Sequence, residues 1–175
     1  MANDTDLKDE KLSGYLQDLE LVRGIPLFRS LDYECQKLIA MVCKRIIFHP
    51  GDQLVKDGED AEFAYYLLSG QAGAWLLNNN ENSKIRSYEE GDFIGGCSLL
   101  GKVHHIFTVK AETETVTLRL SRTNFRKVME KFPSNMSRII ESLVSEISRW
   151  DKMSATTFES NENGNKSSGV GVSLL

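Results

Sequence analysis

The sequence predicts an α+β fold: an antiparallel β-roll of the jelly-roll barrel type, flanked by N-terminal helices and two C-terminal helices. Three observations carry this reading. Between residues 45 and 120 the chain breaks into short β-branched and aromatic runs, closely spaced and separated by turn residues. On either side of that region, apolar residues recur at helical intervals instead. The hydrophobic content is 41% over 175 residues, enough for one folded core with extensions. The composition shifts divide the chain into an N-terminal helical linker over 1–29, a central domain over 30–150 and a tail over 151–175.

The first helix follows a polar start. Leu7, Leu12, Leu16, Leu19 and Val22 recur at helical spacing, with Asp4 or Thr5 in position to cap. Gly24 and Pro26 end it and leave Ile25-Pro-Leu-Phe28 as an apolar hook. Ser30 or Asp32 is expected to cap a second helix, whose apolar face is Cys35, Leu38, Ile39 and Val42. Strands then read at Arg45–His49 and Gln53–Lys56, joined by Pro50-Gly51-Asp52, where proline presets φ. Asp57-Gly58 turns the chain again. Phe63–Leu68 and Gln71–Leu77 read as a hairpin around Ser69-Gly70. Asn78–Asn82 is a turn of asparagines, Lys84–Tyr88 a strand, Ile106–Ala111 another, and Thr115–Leu120 a period-two strand completing the barrel.

Two helices close the fold. Ser121 caps the first, with stripe Phe125, Val128, Met129 and Phe132. Pro133 interrupts, and Ser134 starts the second, whose stripe is Met136, Ile139, Ile140, Leu143, Val144 and Ile147, with Trp150 near its end. Residues 154–173 are rich in Ser, Asn and Gly, a composition expected to stay disordered. Ser173-Leu-Leu175 is similar to carboxyl-terminal motifs captured by backbone-binding modules of the PDZ kind, a short match that arises readily by chance.

Composition excludes several classes of function. Net charge is −4, so no basic field recruits nucleic acid or an anionic membrane. No apolar run approaches the ~20 residues that span a bilayer, and Met1-Ala-Asn-Asp is no signal peptide, so a cytoplasmic location is expected. Cys35, Cys43 and Cys97 lack zinc or disulfide spacing. His104 and His105 are adjacent, and no third metal ligand is fixed beside them, so no metal site is assigned. Asp57, Glu59, Asp60 and Glu62 read as a solvated turn. With no nucleophile–base pair, an enzyme is not expected.

The chain is organised around residues 91–111. Gly95-Gly96 permits a backbone path with positive φ and close approach to a ligand, and amides in such a turn suit an anion. This stretch follows Pro50-Gly-Asp52, Gly58 and Tyr65-Tyr-Leu-Leu-Ser-Gly70. Together these segments resemble the cyclic-nucleotide-binding domain family from about Leu21 to Trp150. Residues 7–28 are similar to the linker junction in cyclic-nucleotide-regulated and plant-type potassium channels.

The resemblance implies a candidate cassette of Gly95, Gly96, Cys97, Ser98, His105, Ile106 and Thr108. It also implies a last helix (Ile140, Leu143, Val144, Ile147) acting as a lid, with static packing on the roll or contact with a partner as the alternatives. The family grips the cyclic phosphate with arginine and the ribose with glutamate; His105 and Gly96 stand at those places, and Phe107 replaces alanine. The expectation is a non-catalytic regulatory module of a channel or transporter, with weak or lost binding of cyclic AMP and cyclic GMP. The alternative is a true cyclic-nucleotide or nucleoside sensor in a channel, exchanger or kinase regulatory subunit. No cofactor is expected beyond a weak cyclic nucleotide or other small anion. Partners would be the parent channel or transporter subunits, or a second copy of the chain.

Overall fold

The computed structural model describes residues 4–78, 81–145 and 148. Helix α1 runs Asp4–Gly24 and α2 Tyr33–Val42. Eight strands follow, β1 Lys44–Phe48, β2 Gln53–Val55, β3 Phe63–Ser69, β4 Ala72–Asn78, β5 Glu81–Tyr88, β6 Phe93–Ile94, β7 Thr108–Ala111 and β8 Thr115–Ser121. Helix α3 covers Arg122–Lys131, a 3-10 turn covers Pro133–Asn135, and α4 covers 136–145.

The strands form two four-stranded antiparallel sheets, ordered β1-β8-β3-β6 and β2-β7-β4-β5. The expected antiparallel β-roll with flanking helices is present. Side chains pointing between the sheets, among them Leu54, Leu67, Ala74, Phe107 and Val109, make one core. A second core lies between the first sheet and the helices, where Phe28, Ile39, Leu99, Leu118, Phe125 and Ile139 meet. The period-two burial of β7, with Val109 and Ala111 inside, expresses the alternation a half-buried strand requires.

One pairing differs from expectation. Strands β3 and β4 do not form a hairpin: β3 pairs with β6 and β8, whereas β4 pairs with β5 and β7. Ser69-Gly70 instead carries the chain from one sheet to the other. Gly70 has φ +88°, and a Cβ there would meet the Glu114 carbonyl and lie 2.8 Å from Thr115 Cα. That close crossing is stapled by Gln71, whose N–H donates to Thr113 Oγ1 at 2.9 Å while its carbonyl accepts from Glu112 N at 2.8 Å. Two corners thus press together, and a paired turn has no room to form. Strand β7 is also shorter than expected, because Ile106 lies outside it and is 51% exposed.

The helix entries show one success and two departures. Ser121 caps α3 as expected, its Oγ accepting from Asn124 N at 3.1 Å. Asp32 occupies the N-cap position of α2, but its carboxylate does not cap. It accepts instead from Asn135 Nδ2 at 2.9 Å and Arg138 Nη1 at 2.8 Å. Those bonds hold its carboxyl below the usual range, Asn135 contributing most. Asn135, fully buried, returns a bond by accepting from Asp32 N at 3.1 Å. That exchange fixes where α4 leaves the body, and α4 starts at 136 rather than at Ser134. Cys35 is fully buried, as an apolar helix face requires, and burial pushes its thiol up to about 11. The tail over 151–175, Ile147 and Trp150 lie outside the described residues. No helix among the described residues is long and apolar enough to cross a membrane.

Candidate ligand-binding cassette

Between β6 and β7 the chain makes a 3-10 turn over Gly96–Leu99. Gly95 enters it at φ +77°, and a Cβ there would approach the Phe63 carbonyl to 2.9 Å, so glycine is required on both counts. Ser98 N–H closes the turn on Gly95 O at 3.0 Å. Leu99, fully buried, pins the turn to the helix-side core. Ser98 is 1% exposed and its Oγ has no hydrogen-bond partner. Cys97 is half-buried, with its thiol pushed up by burial.

The glycine at the carboxylate position is sealed. A Cβ on Gly96 would meet Leu143 Cδ2 at 3.0 Å and Phe93 Cε1 at 3.2 Å. Helix α4 therefore lies on the cassette turn, touching it through Leu143. Of the candidate lid residues, Leu143 is buried against the turn, whereas Ile140 is 47% and Val144 55% exposed. The helix stripe is too wide for one seat, and only its Ile139–Leu143 side is covered.

His105, Ile106 and Thr108 stand apart from the glycines. The His105 backbone is tied to the loop after β2, its N–H donating to Glu59 O at 3.0 Å and its carbonyl accepting from Gly58 N at 2.8 Å. Its half-buried ring lies 6.4 Å from the ring of Phe107, which is buried between the sheets. Phe107 thus puts bulk into the roll. Burial pushes the imidazole below its ordinary value, partly offset by Asp60 and Glu59. The Thr108 hydroxyl accepts from Asp57 N at 3.2 Å, which ties it to the same loop.

Beside His105 opens a recess of about 490 Å³. Its wall also carries Gln53, Lys56, Glu59, Asp60, Glu62 and Tyr65, so the acidic turn of the sequence is a wall of this recess. Gly95, Gly96, Cys97, Ser98, Ile106 and Thr108 do not line it. Among the described residues no cluster of His, Cys, Asp or Glu is arranged to hold a metal ion.

Sequence reasoning missed Arg122. This side chain is 9% exposed and forks onto Asp60, with Nη2 at 3.0 Å from Oδ2. Its Nη1 donates to Gly101 O at 2.8 Å and Ala61 O at 3.1 Å. Arg126 adds a bond to Leu100 O at 3.2 Å. Two arginines of α3 thus hold the carboxyl end of the cassette turn, where carbonyls point outward and cations are favoured. An arginine in the first turn after a capping serine, with an aspartate in the acidic loop, was the available signal.

Comparisons with known proteins agree with this architecture. A family profile described as cyclic nucleotide-binding domain matches residues 45–132. The chain is 32% identical over 115 residues to the cAMP-dependent protein kinase regulatory subunit of Emericella nidulans, covering 65% of this chain and 27% of that protein. It is 28% identical over 134 residues to the human potassium/sodium hyperpolarization-activated cyclic nucleotide-gated channel 1, covering 77% of this chain and 14% of the channel. A cyclic nucleotide-binding-like protein from Brucella abortus superimposes with TM-score 0.60 at 25% identity, covering 65% of this chain and 98% of that one. The chain therefore spans 27% or less of these two curated relatives.

Proposed function

The chain belongs to the cyclic nucleotide-binding domain family, and from that premise we propose a non-catalytic regulatory module whose recognition of cyclic AMP and cyclic GMP is weak or lost. One observation carries the proposal: both positions that the family reserves for charged contacts are unfit for them. At Gly96 a side chain would run into Leu143 and Phe93. At His105 an imidazole with a depressed proton affinity replaces a permanently charged planar fork. Hydrogen bonds to charged groups contribute roughly 1.5–3 kcal/mol each, so losing two removes about 3–6 kcal/mol, or ~10²–10⁴ in affinity. Isothermal titration of the purified chain with either nucleotide at pH 7.5 is expected to give no saturable heat below about 100 μM. Low-micromolar affinity would refute the proposal.

The likeness to a channel over 77% of this chain supports a parent ion channel or transporter, with the module on its cytoplasmic face and sister subunits as partners. A kinase regulatory subunit is the competing parent, supported by the 32% identity. A second reading, a true sensor using a non-standard cassette, draws on the seat of Leu143 over Gly96, since a helix lying on the turn is placed to respond to a ligand there. A thermal-shift panel of cyclic nucleotides and nucleosides separates the two readings, because a ligand that binds only the folded state raises Tm.

A further inference from the structure

Away from the cassette, α1 and the first sheet border a groove of about 870 Å³. Leu12, Leu16 and Leu21 line it from α1, Tyr66 from β3 and Arg45 from β1. Leu12 and Leu16, one helical turn apart, remain 56% and 51% exposed. A Cβ on Gly24, which also lines the groove, would meet nothing within 4 Å, so the space is open. The charges of the wall are closed on neighbours: Arg45 pairs with Asp18 at 2.7 Å and Glu20 with Arg23 at 2.8 Å. What the groove offers an occupant is therefore apolar surface, whose removal from water is favourable.

The chain brings a matching segment to this place. Phe93 of β6 and Tyr66 of β3 are directly opposed, so their rings rise from the same face of the sheet. Phe93 is also the ring that meets Leu143 above Gly96. Helix α4 thus arrives one strand away from the groove. Residues 149–175 lie outside the described residues. Within them Trp150 follows Leu143 by seven positions, the spacing that repeats one helix face. Seven residues cover roughly 10 Å as helix and more when extended, against ~4.8 Å between neighbouring strands. Met153 and Phe158 come next, and no further large apolar residue occurs before Val170. A tryptophan is the kind of anchor that dominates such a contact, through the apolar area it buries.

We propose that segment 149–158 of this chain seats in the groove with Trp150 as its anchor, strapping α4 to α1 across the face of the first sheet. With the strap in place, the N-terminal linker helix and the helix over the cassette do not move independently. None of the groove residues belongs to the candidate cassette, so the seat does not require a nucleotide.

The test is fluorescence of the full chain, which has two tryptophans. In Trp75→Phe the emission of Trp150 is expected to be shifted to the blue of a free tryptophan amide and protected from acrylamide quenching. The difference between the parent chain and Trp150→Phe gives the same reading if Trp75→Phe weakens the roll. Leu12→Glu and Leu16→Glu, both at exposed positions, should abolish the shift and the protection while circular dichroism shows the fold retained. Leu16→Met should keep both, as should Met41→Glu, which places a charge on an exposed methionine of α2 outside the groove. The shift should be the same over a hundredfold range of concentration, with the sedimenting mass of one chain. Water-like emission from Trp150 in the full chain overturns the proposal. So does a shift that survives both groove substitutions, which puts the anchor elsewhere. A shift that appears only as the sedimenting mass doubles overturns it too, and gives the groove to a second copy.

Discussion

Gly96 and His105, the two positions at which we propose that charged ligand contacts are absent, sit in opposite environments. Gly96 is buried beneath Leu143 and Phe93, in a turn anchored by Leu99 and held by arginines of α3. His105 is half-buried on a charged wall, its ring facing a recess of about 490 Å³. The contrast teaches that an uncharged residue at a candidate ligand position can sit in either of two environments. At Gly96 packing leaves no room for a side chain, so a charged group there would have to displace its neighbours. On an open wall the replacement stays accessible, and its chemistry remains adjustable.

Four expected outcomes break or sharpen that contrast. Leu99→Ala on the packed side should cost about 2–5 kcal/mol in denaturant unfolding, because a fully buried leucine leaves a cavity, whereas His105→Ala should stay within about 1 kcal/mol. Equal losses would dissolve the distinction. Next in size, Gly96→Glu should lower stability by about 1–3 kcal/mol, since its side chain must displace Leu143 or Phe93. If that variant instead melts like the parent and gains cyclic AMP affinity, the turn is not sealed. Gly95→Ala should cost about 1–2 kcal/mol, from its left-handed backbone and the Phe63 carbonyl in the path of the new methyl.

The smallest effect concerns pH. In the folded chain the His105 proton affinity lies below its unfolded value of about 6.5, so the unfolded state binds the proton first as pH falls. The His105 contribution is therefore zero above that value and destabilising below it. Thermal melts from pH 7.5 to 5.5 should fall less steeply in His105→Gln than in the parent chain. A steeper fall in the variant would contradict the direction of the shift.

Much of this was legible in the chain. The strands from 44 to 121, the Ser121 cap and the apolar faces of α2 and α3 follow from local pattern, because side-chain periodicity reports which face is buried. The residue types at Gly96 and His105, on which the proposal of weak binding rests, were visible in the sequence. Legibility failed where distant segments compete for one group. Asp32 reads as a cap, but Asn135 and Arg138, over a hundred positions away, claim its carboxylate. Thr108 reads as a ligand contact, and its tie to Asp57 N–H across the chain was not legible. Ile140 and Leu143 belong to one stripe, and only the second meets the cassette.

The sequence by itself determined the element types and the roll, since these depend on residue chemistry and on spacing along the chain. Tertiary structure alone decided that Ser69-Gly70 links two sheets, that Arg122 grips Asp60 and Gly101, and that Gly96 is covered while His105 stays open. Those outcomes depend on which surfaces arrive opposite one another, and burial, pairing and proton affinity are properties of that meeting rather than of any single residue.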